Sequence, residues 1–412
     1  MVKLAIEGGK PVRRKPMPGR VMFDNKEVEA VLQLLKKGTE EATAKFLDRY
    51  AGENVDKYEK EFAKYFGVKF ATATSSGTAA IHSAIASLEL EPGSEVITTP
   101  ITDPGTIMPI IFQGLIPVFA DVDFETLNIT EETIEKVITK KTKAIIPVHL
   151  AGVPCEMDKI MRVARKYKLK VIEDCAQAHG SIYKNKYTGT FGDIGVFSLM
   201  SGKHMTSGGQ GGMVITDKEK YYWAAKRFAD RGKPFGIKKE EGNVSIGLNY
   251  RMTEIEAIIG RIQLKKLKKL ADKRYRIVEK LRKEFSNLKT FSLWKKPQNS
   301  KPNYWFCFVK VDKEKLKVDK WKIAEALRAE GIPAGAHYVI PMYENPFIKK
   351  RKTFGKSGYP WNPYRPDIKY RCPVAEKTLN SHITLYIHEC FTDKEIEDIL
   401  KAFEKVEKAY LK

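Results

Sequence analysis

Through the first half of the chain, short apolar runs alternate with segments of helical periodicity. FATAT (70–74), EVITT (95–99), IPVFADVD (116–123), KAIIPVHL (143–150), KVIED (170–174), GVFSL (195–199) and GMVIT (212–216) are largely apolar at successive positions. A strand with one wet face alternates apolar and polar residues, and one covered on both faces does not. Between these runs lie SSGTAAIHSAIASL, PGTIMPIIFQ, the Thr130-capped EETIEKVI, and EMDKIMRVARKY, each of which reads as a helix. Strand–helix alternation of this kind predicts an α/β fold with a mostly parallel sheet between helices. Ligands in such sheets bind beyond the carboxyl ends of the strands.

An irregular arm with Gly8-Gly9 and several prolines precedes this region. Asp24 or Asn25 then caps a helix to about Lys37, with Val28, Val31, Leu32 and Leu35 on one face, and Tyr58, Phe62 and Phe66 mark a second helix over 55–66. Beyond Thr253 a long amphipathic helix carries Ile255, Ile258, Ile259, Ile262, Leu267 and Leu270 on its apolar side. The strand NYWFCFVKV, a helix over 319–330, a loop-like stretch over 336–373, the strand TLYI (384–387) and a helix from Asp393 complete the chain. The expected division is a large α/β domain with its arm over 1–252, then a long connecting helix and a smaller α+β domain over 253–412.

Composition narrows the function classes. With 412 residues, 42% hydrophobic and 10% aromatic, the chain has ample material for a core and none of the signature of disorder. No apolar run approaches membrane-spanning length, and the N-terminus lacks the apolar core of a signal peptide, so a cytoplasmic protein is expected. Five scattered cysteines form no CxxC pair, which indicates neither a disulfide framework nor a metal site. Cys175, beside Asp174, reads as a small packing residue rather than a nucleophile. The net charge of +22 fits a nucleic-acid surface, an anionic substrate, or a heat-adapted surface rich in Lys and Glu. Lysines spread along the chain and mixed with Glu favour the last, with an anionic substrate next.

Three places carry candidate chemistry. Ser76-Gly77-Thr78 stands between a strand and a helix N-terminus, where backbone N–H groups and the helix dipole attract anions. Asp174 ends an apolar strand, with Gln177 and His179 just beyond. Lys203 follows an apolar strand closing on Ser198 and precedes TSGGQGG, whose glycines permit close backbone approach. A phosphate-binding P-loop would need its lysine after the glycines, and here it comes before them. A lysine, a strand-end carboxylate and phosphate donors together suit pyridoxal phosphate. That cofactor needs an amine for a Schiff base, an anion holding its pyridine nitrogen protonated, and donors for its phosphate.

In that order the motifs are recognisable. LAIEGGKPV, SSGTAAIHSAI, GSEVITTP, PVFADVD, TKAIIPVHLAG, VIEDCAQAHGS, FGDIGVFSLMSGKH, GGMVIT, LNYRMTEIEAIIGRIQL and RCPVAE cover nearly the whole chain. The chain resembles the DegT/DnrJ/EryC1/StrS family of pyridoxal-phosphate aminotransferases, fold type I enzymes acting mainly on sugars and cyclitols. The resemblance implies that Lys203 is the Schiff-base lysine, that Asp174 binds the pyridine nitrogen, and that Gln177 lies near the ring and its 3′-oxygen. It implies that Gly77, Thr78 and Ser198 hold the phosphate. Asn249 resembles the residue that reaches the phosphate in the neighbouring subunit, which implies a homodimer with shared sites.

Three departures from the family pattern stand out. Asp103 occupies the place of an aromatic residue that stacks on the pyridine face. Gln210 stands where relatives carry Glu. Lys203 is retained where sugar 3-dehydratases carry His, with His204 merely following it, which favours transamination. The expected reaction moves an amino group from glutamate or glutamine to a keto-sugar, nucleotide-linked in keeping with the basic charge, or to a keto-cyclitol. Asp103, His179, His337 and Tyr338 are candidate substrate residues. A sugar dehydratase is the alternative enzyme. A basic nucleic-acid-binding regulator is a distant third, because no nucleic-acid-binding signature is present.

Overall fold

A computed structural model describes residues 3–40, 53–239 and 241–412. The first part comprises α1 (Asn25–Glu40), α2 (Asn54–Phe66), β1 (Phe70–Thr74), α3 (Gly77–Ala86), β2 (Glu95–Thr98), α4 (Pro104–Phe112), β3 (Ile116–Phe119), α5 (Glu131–Glu135), β4 (Thr142–Ile146), α6 (Met157–Lys166) and β5 (Lys170–Asp174). The short strands β6 (Ile182–Tyr183) and β7 (Lys186–Tyr187) follow, then β8 (Ile194–Ser198), β9 (Gly212–Thr216) and α7 (Glu219–Phe228).

The main sheet has seven strands in the order β1-β9-β8-β5-β4-β2-β3. Strand β9 runs antiparallel to both β1 and β8, and the other pairs are parallel. Its strands are buried almost throughout, as their unbroken apolar runs require. The reversed strand places the site. The chain leaves the carboxyl end of β8, makes an excursion over 199–211, and returns as β9 from the same edge. Lys203, on that excursion, therefore meets the carboxyl ends of β1 and β5.

The second part opens with α8 (Glu254–Phe285), 32 residues and about 48 Å long, started by a capping box between Thr253 and Glu256. A four-stranded antiparallel sheet, β10 (Phe291–Leu293), β12 (Cys307–Val311), β14 (His382–Leu385) and β13 (Ala334–Gly335), packs with α9 (Lys320–Ala329), α12 (Pro373–Ser381) and α13 (Asp393–Tyr410). Strand β11 (Ser300–Lys301) joins β6, stitching the two parts together. The stretch over 336–373 is mostly irregular, holding a 3-10 turn (Met342–Glu344) and the short α10 (Pro346–Lys349) and α11 (Trp361–Tyr364). Among the described residues, no helix is long and apolar enough to cross a membrane.

Three local expectations change. The N-terminal arm, expected with the large domain, touches both parts: Arg20 donates to the carbonyls of Lys203 and His204 in the lysine loop, while the start of the arm packs on the second part. Leu4 is fully buried there, and Ala5 and Val12 donate their N–H groups to the Glu330 carboxylate at the end of α9. The strand expected over NYWFCFVKV forms only from Cys307. Tyr304 takes a left-handed backbone (φ 47°), which breaks the extension and turns Trp305 toward the main sheet. The strand expected at 384–387 lies two residues earlier, directly after α12, with Ile383 and Leu385 fully buried.

Candidate active site

The site is an open cleft at the carboxyl edge of the main sheet. On its floor, the Ser76 hydroxyl caps α3 by accepting the Ala79 N–H at 3.0 Å. A Cβ at Gly77 would stand 2.6 Å from that of Ser198, so only glycine lets β8 approach the helix N-terminus this closely. Free amides, the helix dipole and the hydroxyls of Thr78 and Ser198 form a cup for an anion.

Asp174 stands at the end of β5, almost wholly buried. Its carboxylate accepts the Thr106 hydroxyl at 2.8 Å and the Ala176 N–H at 3.0 Å. Burial pushes its pKa up, while those two bonds and the charge of Lys203 pull it back. Lys203 is 7% exposed, and burial lowers its pKa to about 8 against the opposing charges of Asp174 and Asp103. Its Nζ lies 3.7 Å from the centroid of the Trp305 ring. An amine so placed has a substantial neutral fraction near neutral pH, which nucleophilic attack on an aldehyde requires. Gln177 accepts the Ala151 N–H at 2.7 Å and donates to the Tyr338 hydroxyl at 2.9 Å, so the second part of the chain reaches over the cleft.

The structure thus brings Gly77, Thr78, Asp103, Asp174, Gln177, Ser198 and Lys203 to one cleft, with Tyr338 joined through Gln177. Asp103 is the N-cap of α4, accepting the Gly105 N–H at 2.8 Å, and its carboxylate faces the cleft mouth. Three candidates lie outside. His179 is fully buried, its pKa lowered to about 3 by burial and by Lys203, and does not line the cleft. His337 is exposed and stacks on Trp321 at 6.2 Å. Asn249 is exposed on a flanking segment, bridged to Asp230.

Sequence reasoning missed Thr106 and Trp305. Thr106 sits one turn into α4, and nothing in PGTIMP marks it as a partner of Asp174. Trp305 lay inside a run that read as strand. Cys175 is fully buried with its thiol pKa pushed up by burial, so it is inert packing. The buried trio His149, Glu173 and Cys175 resembles a metal site in composition only. His149 Nδ1 accepts the Cys155 N–H, which leaves its Nε2–H to donate to Glu173. Glu173 also accepts the N–H groups of Gly189, Phe191 and Gly192, so its lone pairs are committed to hydrogen bonds.

A mostly parallel sheet with one reversed strand, a lysine on the excursion before that strand, and a strand-end aspartate define a pyridoxal-phosphate-dependent enzyme of fold type I. The residues fit the cofactor: the glycine-lined cup suits a phosphate, and the buried amine and carboxylate suit its aldehyde and pyridinium. The chain belongs to the DegT/DnrJ/EryC1/StrS aminotransferase family, whose pattern matches residues 25–404.

Over 237 residues it is 40% identical to the GDP-perosamine synthase of Escherichia coli O157:H7, covering 58% of this chain and 64% of that protein. The aminotransferase from Psychrobacter cryohalolentis superposes with a TM-score of 0.85 at 32% identity, over 96% of this chain and 99% of that one. NtdA from Bacillus subtilis, solved with bound cofactor PMP, gives a TM-score of 0.79 at 26% identity over 94% of this chain and 83% of that one.

Proposed function

We propose that the enzyme transfers an amino group from glutamate or glutamine to the ketone carbon of a sugar, nucleotide-linked, through Lys203. The observation that carries this reading is the pairing of a buried, pKa-lowered Lys203 with buried Asp174 across one cleft. Pyridoxal phosphate, when bound, supplies the electron sink that lets an amino group pass between carbon skeletons. The chain supplies the rest. Lys203 holds the cofactor covalently and, once released, carries a proton to and from the substrate carbon. Asp174, steadied by Thr106, keeps the pyridine nitrogen protonated, and Gly77, Thr78 and Ser198 hold the phosphate. The GDP-perosamine synthase relative supports a nucleotide-sugar acceptor, and the +22 charge is compatible with its diphosphate. Asp103 suits a sugar hydroxyl as its partner at the cleft mouth.

The working unit is a cytoplasmic homodimer. Among the described residues lining the cleft, Lys203 is the sole cation, which leaves room for a further phosphate donor from a second copy. Exposed Asn249 shares its segment with Ile246 (85% exposed) and Leu248, an apolar strip suited to a second copy. Incubating the cofactor-loaded enzyme with glutamate and a panel of keto-sugar nucleotides and inososes, with mass spectrometry of the products, tests the substrate. An aminated nucleotide-sugar supports the reading, and amination of inososes alone contradicts it.

A further inference from the structure

We propose that Arg20 and Glu389 are positioning residues for Lys203, and that one buried carboxylate thereby fixes both the backbone of the lysine loop and the ring against its amine. The inference rests on Lys203 being the cofactor lysine.

Glu389 lies between β14 and α13, with its side chain 10% exposed. One of its oxygens accepts Arg20 Nε and the other Arg274 Nε, each at 2.8 Å. Arg20, on the N-terminal arm, spends its remaining nitrogens on the lysine loop, donating to the carbonyls of Lys203 at 2.6 Å and His204 at 2.8 Å. Arg274, on α8 and 2% exposed, donates to the carbonyls of Tyr304 and Trp305 at 3.0 and 3.1 Å. Trp305 closes the circuit, since its indole N–H donates to the Gly202 carbonyl at 2.8 Å while its ring faces Lys203 Nζ.

The planar fork of a guanidinium serves three acceptors at once, which an ammonium on a flexible stem does not do in fixed geometry. Burial alone would raise the Glu389 pKa, but the two guanidiniums outweigh it and hold the group ionised. The elements that meet here are far apart in sequence: arm, lysine loop, long helix, and the loop after β14. If the circuit only docked the arm, its loss would lower stability and leave the amine unchanged. If it positions the amine, its loss hydrates Lys203. The groups facing that amine are the carboxylates of Asp174 and Asp103, with buried, neutral His179 and His204 behind it.

The test uses the cofactor-free full chain. Pyridoxal phosphate is added over a range of pH, captured by borohydride at fixed times, and the pyridoxyl-labelled peptides are quantified by mass spectrometry. Wild type should label at Lys203, with a half-maximal rate near pH 8. Arg20→Ala and Arg20→Lys should label about tenfold more slowly near pH 7, with the midpoint moved up by about one unit. Arg162→Ala, which removes an exposed ion pair with Glu131, should behave as wild type. Glu389→Gln should match the Arg20 variants, and if it does not fold, the Arg20 variants on the surface arm decide alone. Wild-type rate and midpoint in both Arg20 variants would overturn the inference, even with a lowered melting temperature. Wild-type labelling elsewhere than Lys203 would overturn the assignment of the lysine itself.

Discussion

Trp305 and Lys203 are in direct contact, the amine nitrogen lying 3.7 Å from the indole centroid, although 102 residues separate them in sequence. The ring both attracts the ammonium and shields it from water. Burial, to which the ring contributes, lowers the pKa of the lysine to about 8. Trp305→Ala should therefore raise the pH midpoint for cofactor capture toward the ordinary lysine range, whereas Trp305→Phe, which keeps a ring, should stay close to wild type. Rates of visible absorbance growth on adding pyridoxal phosphate, measured across pH, check this.

Gly77→Ala places a methyl group within 2.6 Å of the Ser198 Cβ. The helix N-terminus or β8 must shift, at a cost of about 1–3 kcal/mol in stability. Cofactor affinity should fall by about tenfold or more, because the displaced amides are those of the anion cup. Equilibrium dialysis with pyridoxal phosphate gives the affinity, and urea unfolding of the cofactor-free chain gives the stability.

Asp174→Asn keeps the shape of the side chain and removes the charge. A preorganised charge at the reacting centre is worth about 10²–10³ in kcat, and a loss of that order is expected. Thr106→Val removes one of the hydrogen bonds to the same carboxylate, which Ala176 still holds, and should cost about tenfold, the low end for a bond to a charged acceptor. Steady-state transamination with glutamate, on fully loaded protein, separates the two. Equal losses would mean that Thr106 does more than steady Asp174.

Burial lowers His82 and His382 to about 4, and burial together with Lys203 lowers His179 to about 3, against 6.5 for a free imidazole. Unfolding in acid lets each take up a proton, so the unfolded chain binds more protons than the folded one below pH 6.5. Their contribution is complete above that pH and is lost as pH falls through 6 toward 4. The loss is about 1.4 kcal/mol per pH unit for each imidazole once the free form is protonated. Urea midpoints measured at pH 7.5, 6 and 5 should fall in that order, and His382→Gln should flatten the slope.

The strands and helices of the first part were legible because a sheet covered on both faces leaves unbroken apolar runs. Asp174, Lys203 and the Ser76–Thr78 turn were legible for a related reason: each follows directly on such a run, at the edge where this architecture binds ligands. The rest depends on contacts that sequence spacing does not encode. Trp305 was hidden because a single left-handed residue, Tyr304, ends a run whose composition reads as strand. The seat of the arm was hidden because it rests on carboxylates more than three hundred residues away, Glu330, Glu389 and Asp398. His179 follows Asp174 closely enough to suggest a shared ligand, but Gly180 (φ 75°) and the turn after β5 carry it inward. Asp103, where an aromatic residue was expected, serves as the N-cap of α4.

The most direct test of the central claim is a single half-reaction. Cofactor-loaded enzyme is mixed with L-glutamate in a stopped-flow instrument, and the released 2-oxoglutarate is counted per active site. Wild type should lose the visible absorbance of the lysine-bound cofactor with about one 2-oxoglutarate per site, and Lys203→Ala should release none. Equal release from Lys203→Ala, or an unchanged spectrum in wild type with both glutamate and glutamine, would contradict that claim.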